Sequence, residues 1–306
     1  MRLEEAPTPV PGEGQVLVRV IGAGVNPADT YSRSGAYANK PPLPFTPGTD
    51  GAGLVDSVGP GVSLVEPGDR VYVAGSLSGT YAEYALTLES RVHRLPEGIS
   101  FSQGAGVFVP YATAYRALTQ LALARAGETL LVHGASGGVG IAALQFASAS
   151  GMRTIGTVGS DEGRELALRE GADQAVNHRE EGYRDEALRL VGGKGFDVIL
   201  EMLANANLGA DLKMLAPRGR VVVIGSRGET TINPRDLMSR DAAVFGMLLW
   251  NIPDEDSASA HAAIVAGLGN GTLRPIVGAE FPLAQAPEAH RKVLEAGAYG
   301  KIVLLP

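Results

Sequence analysis

The stretch Glu128-Thr129-Leu130-Leu131-Val132-His133, running into Gly134-Ala135-Ser136-Gly137-Gly138-Val139-Gly140, decides the fold. Its first half is a short apolar run of the kind that forms a buried strand, and Ile141–Ser150 beyond it is apolar enough for a packed helix. Between them, four glycines let the backbone turn sharply and lie close to whatever it faces. The free N–H groups at the start of the following helix carry partial positive charge, so a pyrophosphate is the natural occupant. A glycine-rich turn can also serve only to join strand to helix, and the surrounding pattern separates the two readings.

That pattern repeats outward from the turn. Arg153–Val158 precedes Asp161–Glu170, Ala175–His178 precedes Glu180–Val191, and Asp197–Met202 precedes Leu208–Leu215. Arg220–Gly225 then precedes Pro234–Asp241, and Val244–Trp250 closes the series. Six strands with intervening helices make two βαβαβ halves, a doubly wound parallel sheet in an α/β fold. Upstream the rhythm differs. Gln15–Ile21, Ala52–Val58, Arg70–Ala74 and Tyr81–Leu86 read as short strands, separated by turn signals such as Pro11-Gly12, Pro47-Gly48 and Pro67-Gly68-Asp69. Such spacing predicts a small irregular barrel. At 306 residues two domains are expected, and the rhythm changes near Phe101. Residues 105–250 are assigned to a Rossmann dinucleotide-binding domain, and residues 1–104 with 251–306 to a mostly β domain formed by both chain ends.

Composition narrows the chemistry. Hydrophobic residues at 45% and charged residues at 19% exclude a disordered chain, and 41 glycines suit many tight turns better than one long bundle. The net charge of −7 argues against a nucleic-acid partner. Cysteine is absent, which removes disulfides, thiolate nucleophiles and cysteine-held zinc. The five histidines show no metal-ligand spacing, so no metal is expected, although a site built of carboxylates alone stays open. His133 reads as a packed core residue, and His93, His261 and His290 as members of no constellation. The start, Met1–Pro7, lacks a signal-peptide core, and the uncharged run Thr129–Met152 is broken by glycines and serines. A soluble, cytoplasmic protein with no membrane partner is expected.

The end of the second Rossmann strand selects the cofactor. An acid there would bond an adenosine 2′-hydroxyl and favour NAD, whereas cations accept a 2′-phosphate. Thr154–Val158 ends in Gly159-Ser160; Asp161 and Glu162 fall late, where they suit the next helix dipole, and Arg164 and Arg179 are nearby. NADPH is the expected cofactor.

Further motifs carry a family likeness. Gly22-Ala23-Gly24-Val25-Asn26-Pro27-Ala28-Asp29, Pro47-Gly48-Thr49-Asp50-Gly51-Ala52-Gly53 and Gly68-Asp69-Arg70-Val71 resemble the medium-chain dehydrogenase/reductase superfamily. Val132–Gly140, Tyr31–Gly35, Asn177-His178-Arg179, Glu201–Asn205 and Gly225–Gly228 resemble its zinc-free, zeta-crystallin-like NADPH:quinone oxidoreductases. The likeness spans both domains. It implies a GroES-like catalytic domain beside the Rossmann domain, and reduction of quinones by hydride or electron transfer from nicotinamide to a flat acceptor in an interdomain cleft. Two departures stand out. The family's additional N-terminal strand is skipped at Met1–Glu4, which would leave an unpaired barrel edge, and Gly163 stands where many relatives have lysine. Zinc-dependent relatives carry a cysteine near Asn26 and a His-Glu pair near Thr49-Asp50. Neither Asn26 nor Thr49 replaces a thiolate or imidazole, so zinc-assisted alcohol oxidation is excluded.

Without a metal the acceptor must itself be electrophilic. Quinones fit; enones and alkenals, reduced at the double bond, are the alternative. A structural crystallin-like role and single-stranded RNA binding are non-enzymatic alternatives that the resemblance also brings. It implies Tyr31, Asn26 and Asp29 as catalytic residues. Tyr31 either acts as a weak acid near the nicotinamide or packs with its hydroxyl satisfied, and Asn26 and Asp29 either orient the cofactor or build an Asx turn. Cofactor contacts are implied for Tyr31 and Thr113, for Ser136, Gly137, Gly138 and Val139 at the pyrophosphate, and for Gly159 and His178 at the adenosine. Asn207, Ile224, Gly225, Ser226 and Arg227 would flank it, with Met247, Leu248 and Leu249 passing as backbone. Lys301 reaches the cofactor or is an exposed strand-start lysine. Tyr111 and Tyr115 read as packing partners, and the acceptor pocket would be shaped around Tyr31, Tyr37, Phe45 and Trp250. The apolar Val244–Trp250 reads as an edge strand, and a homodimer paired along it is expected.

Overall fold

The computed structural model describes residues 1–36, 41–295, 297 and 299–306; Tyr37 lies outside the described residues. The chain forms two compact units, one of residues 1–110, 261–296 and 300–306, the other of residues 111–260 and 297–299.

The first unit is built on a seven-stranded sheet. Strand β1 (Gln15–Val25) is followed by helix α1 (Pro27–Ser34), then β2 (Asp50–Val58), β3 (Arg70–Ala74), β4 (Tyr84–Leu88) and β5 (Val92–Arg94). Strands β12 (Val277–Pro282) and β13 (Lys301–Leu305), from much later in the chain, complete it in the order β12-β13-β1-β2-β3-β5, with β4 also pairing β1. Alternation in β1 sends Val16 and Val18 inward against Val55, Val71, Val73 and Val92, a β-branched core suited to pleated strands. Register breaks in β1 at Leu17/Val18 and Val20/Gly22 bend the strand, as bulges do. A short helix α2 (Phe101–Gly104) carries a capping box, Ser100 Oγ accepting from Gln103 N–H while Gln103 Oε1 accepts from Ser100 N–H.

The chain then passes through α3 (Thr113–Tyr115), a single turn between π-helical Phe108–Ala112 and Arg116–Leu121. The second unit follows. Strands β6 (Thr129–Val132), β7 (Arg153–Val158), β8 (Gln174–Asn177), β9 (Phe196–Glu201), β10 (Leu215–Val223) and β11 (Ala243–Gly246) pair in parallel in the order β11-β10-β9-β6-β7-β8. Helices α4 (Gly138–Ala149), α5 (Asp161–Arg169), α6 (Tyr183–Leu190), α7 (Ala204–Met214) and α8 (Pro234–Met238) connect them. This is the doubly wound order, and its switch point lies between β6 and β9. Leu131, Ile155, Phe196, Ile199 and Leu212 are wholly buried there. Helix α9 (Asp254–Gly269) and helix α10 (Ala286–Lys292) complete the chain's helices among the described residues.

One expected element is shorter than its sequence suggests. The last Rossmann strand stops at Gly246, not Trp250: Met247 N–H makes a final bond to Val223 O, and Leu249–Asn251 then form a 3₁₀ turn. Hydrophobicity alone does not distinguish a strand from the buried turn that follows it, and Leu249 is buried within that turn.

Candidate functional site

In the β-rich unit, β1 ends at Val25 and the chain turns at once into α1. Asp29 Oδ2 accepts from Asn26 N–H at 2.8 Å, and the Asp29 N–H bonds the Asn26 backbone carbonyl at 3.1 Å, which closes the start of the helix. The Asn26 side chain does not serve the turn. Its Oδ1 accepts from Lys301 Nζ at 2.5 Å, and its Nδ2 donates to Asp50 Oδ2 at 3.1 Å. Lys301 Nζ also bonds Asp50 Oδ2 at 2.6 Å, while Asp50 Oδ1 accepts from Val109 N–H at 3.0 Å. All three side chains are at most 5% exposed. Room for the lysine stem comes from Gly24, where a Cβ would strike the Lys301 Cε and the Ala105 carbonyl. An ammonium thus stands between Asn26 and Asp50, and the donors Asn26, Thr49 and Asp50 offer no soft or imidazole ligand. Zinc does not fit this site.

Asp29 is the titratable group of that site. Burial raises it to about 6, and the charge of Asp50 adds to this; the Asn26 N–H, Lys301 and the Tyr81 hydroxyl oppose the rise. Tyr81 donates to Asp29 Oδ2 at 3.2 Å, Thr49 reaches Asp29 Oδ1 at 3.5 Å, and His290 Nε2 lies 3.2 Å from the Tyr81 hydroxyl. Tyr31, one turn along α1 from Pro27, is half-buried.

In the second unit the glycine turn follows the expected geometry. Gly134 takes a left-handed conformation at φ 61°, and Gly140 packs so tightly on the turn that a Cβ would meet the Gly134 carbonyl. Gly137, the N-cap of α4, offers no side chain to the helix N-terminus, so the first-turn N–H groups are left for a ligand. Ser136 is buried beside them, and Gly138 and Val139 are half-buried in the first turn. These features fit a pyrophosphate. At the end of β7, Gly159 faces His178 Nε2 and Arg179 Nε, a Cβ there falling 3.1 Å and 3.4 Å from them. Ser160 is occupied as the N-cap of α5, accepting from Gly163 N–H at 3.1 Å, and Asp161 and Glu162 lie in its first turn. Arg179 therefore stands at the strand end, whereas Arg164 is carried away on the exposed side of α5.

Thr113 is buried in α3; Tyr111 donates to Gln145 Oε1 at 2.9 Å, and Tyr115 bonds Ser259 at 3.2 Å. Ile224 and Gly225 N–H groups both bond Glu201 O, Ser226 Oγ turns to Gly228 O, and Arg227 N–H bonds Asn205 Oδ1. Met247 N–H is already spent on Val223 O, Leu248 is 41% exposed and Leu249 buried. Asn207 is held from both sides, its Nδ2 by Glu201 Oε1 at 3.3 Å and its Oδ1 by Arg184 Nη2 at 3.4 Å.

The histidines require correction. His93 and His261 stack at 3.8 Å beside Tyr72, whose hydroxyl lies 2.9 Å from His261 Nδ1, and His290 joins the Tyr81–Asp29 chain. His133 is buried as expected, but its Nε2 also lies 3.0 Å from Asp211 Oδ1 and 3.5 Å from Glu201 Oε2. Each pairing joins residues far apart in sequence, so no local spacing signals it.

Comparison with known proteins agrees with this geometry. Residues 12–97 match the alcohol dehydrogenase GroES-like domain, and residues 138–264 match the zinc-binding dehydrogenase family. The human quinone oxidoreductase is 48% identical over 298 residues, covering 97% of this chain and 91% of its own. A solved Escherichia coli quinone oxidoreductase complexed with NADPH superposes at a TM-score of 0.87, with 32% identity over 99% of this chain and 95% of its own. A solved NAD-dependent alcohol dehydrogenase reaches a TM-score of 0.91 at 31% identity, covering 100% and 95%.

Proposed function

The chain belongs to the quinone oxidoreductases of the medium-chain dehydrogenase/reductase superfamily and reduces quinones with NADPH, and from that premise we propose that it works without a metal. The observation that supports the metal-free reading is the Lys301 ammonium bonded to Asn26 and Asp50. When bound, NADPH supplies a hydride, and the reduced quinone then needs one proton. Every other task falls to the protein. The first-turn N–H groups of α4, with Ser136, Gly137, Gly138 and Val139, would hold the pyrophosphate, and Gly159, His178 and Arg179 the adenosine end. Tyr31 orients the acceptor through its phenol. Asp29, raised to about 6 by burial, holds a proton in part of the population near neutral pH, and Thr49 and Tyr81 connect to it. Asn26 acts by fixing the start of α1, locked by its two buried partners. We further propose a cytoplasmic homodimer paired along β11, the outer strand of its sheet. No helix among the described residues is long and apolar enough to cross a membrane.

Steady oxidation of NADPH with phenanthrenequinone tests this reading, alongside 1-octen-3-one as enone and NADH as control. Quinone turnover preferring NADPH, undiminished by EDTA, is expected. Turnover of the enone alone would move the chain to the double-bond reductases, and loss of activity with EDTA would end the metal-free proposal.

A further inference from the structure

Beneath the glycine turn lies a polar cluster that a strand-to-helix crossover does not require. His133 follows β6, Thr157 lies in β7, Glu201 ends β9 and Asp211 lies on α7. His133 Nδ1 is 3.1 Å from Thr157 Oγ1, and its Nε2 faces both carboxylates. Glu201 and Asp211 are wholly buried. Glu201 Oε1 accepts from Leu203 N–H and Asn207 Nδ2, so this one side chain holds the segment that follows its own strand. Its other oxygen, Oε2, and Asp211 Oδ2 have no hydrogen-bond partner among the described residues. Yet an oxygen of each and a nitrogen of His133 all lie within 4.8 Å of one another.

Two buried carboxylates within 4.8 Å of each other cannot both remain charged without cost, and a single proton held by the pair removes one of the two charges. The groups facing them from neighbouring elements are Arg184 and Tyr183 on α6, and His178 beyond β8. Burial raises Glu201 to about 7, reinforced by Asp211 beside it, and raises Asp211 to about 6. His133 is lowered by burial and stays neutral, so it does not neutralise the pair. The positive charge of Arg184 lowers Asp211 and so opposes a proton there, but it opposes a divalent cation, with twice the charge, more strongly.

We propose that Glu201 and Asp211, sharing one proton beneath the turns after β6 and β9, are positioning residues that hold Asn207 and the His133–Gly134 turn in register for NADPH. The proposal rests on Asn207 and the glycine turn contacting the cofactor. Loss of the proton leaves two like charges in one buried volume, and relief comes by displacing the Leu203–Asn207 segment that Glu201 holds. NADPH affinity should then fall as pH rises through the titration of the pair.

Reduced-nicotinamide fluorescence measures NADPH affinity of the full chain without quinone, from pH 7 to 9, above the titration of the cofactor's own 2′-phosphate. Kd is expected to rise with pH, up to about tenfold per pH unit, the limit for one linked proton. In Glu201→Gln and Asp211→Asn, whatever their absolute affinity, Kd at pH 7 and pH 9 should coincide; the second variant serves if the first does not fold. A flat profile in the unaltered protein, or a slope retained in both variants, overturns the proposal. So does one equivalent of divalent metal in the purified protein that Asp211→Asn loses. Absence of NADPH binding at every pH overturns the cofactor reading as well, whereas binding without a slope overturns only the shared proton.

Discussion

One ammonium organises the β-rich unit. Lys301 satisfies Asn26 and Asp50 together, and Asp50 has no other cation within hydrogen-bond reach among the described residues. Lys301→Met would keep the stem's packing but leave a buried carboxylate unpaired, at a cost of about 3–5 kcal/mol. Adding Asp50→Asn should recover part of that loss, because the orphaned charge is removed. Urea unfolding of the single and double variants checks both; a double variant no more stable than the single would show that the ion pair is not the source. Neither reading of Lys301 available from sequence, cofactor contact or exposed strand start, anticipated this burial. The partners lie 251 and 275 residues away, beyond any local pattern. For Asn26 and Asp29 the sequence offered cofactor orientation or an Asx turn; the Asn26 side chain is instead engaged with Lys301 and Asp50, and the raised titration of Asp29 depends on burial and on Asp50.

Among the elements, the Rossmann strands were legible because each βα unit announces itself by an apolar run, a turn and a helix. The glycine turn was legible for the same reason. Two features were not. The π-helical turns around α3 arise in a stretch without helix-breaking spacing beyond Pro110, and the end of β11 is set by a single backbone bond, Met247 N–H to Val223 O. Strand β11 nevertheless remains the outer strand of its sheet, half-exposed along Ala243–Phe245, with Trp250 48% exposed just beyond it. An edge of this kind is a template for pairing. Light scattering at micromolar concentration should give the mass of a dimer, and Val244→Lys on that edge should shift it to the monomer; a monomer in the unaltered protein would refute the pairing.

Across the whole molecule, buried titratable groups of two kinds oppose each other as pH falls. His93, His261 and His290 are lowered by burial to about 3, 4 and 4, so the unfolded chain takes up their protons first, near 6.5. Their stabilisation is present above that value and is lost as pH falls toward 4. Asp29, Asp211 and Glu201 are raised to about 6, 6 and 7, so the folded chain takes up their protons first. Their cost is present above about 7 and is relieved as pH falls toward the unfolded carboxylate range. The two sets offset each other between roughly pH 6.5 and 4.5. Stability should therefore vary little across that interval and drop steeply below it, where the histidines and Glu128, held down by its hydrogen bond to Arg220, still resist protonation. Thermal unfolding followed by circular dichroism at half-unit steps checks this; a steady decline beginning at pH 6.5 would contradict it.

The route by which Lys301 reaches Asp50 also sets an order of assembly. Residues 111–260 form nearly all of one unit from a single uninterrupted stretch, so they can fold while the rest of the chain is still being synthesised. The β-rich unit cannot. Its first strands emerge early, yet Asp50 and Asn26 wait with their polar groups uncompensated until residue 301 has left the ribosome, 251 residues after Asp50. During that interval the nascent chain carries an open, incomplete sheet, and it is at this stage that a chaperone has the most to protect.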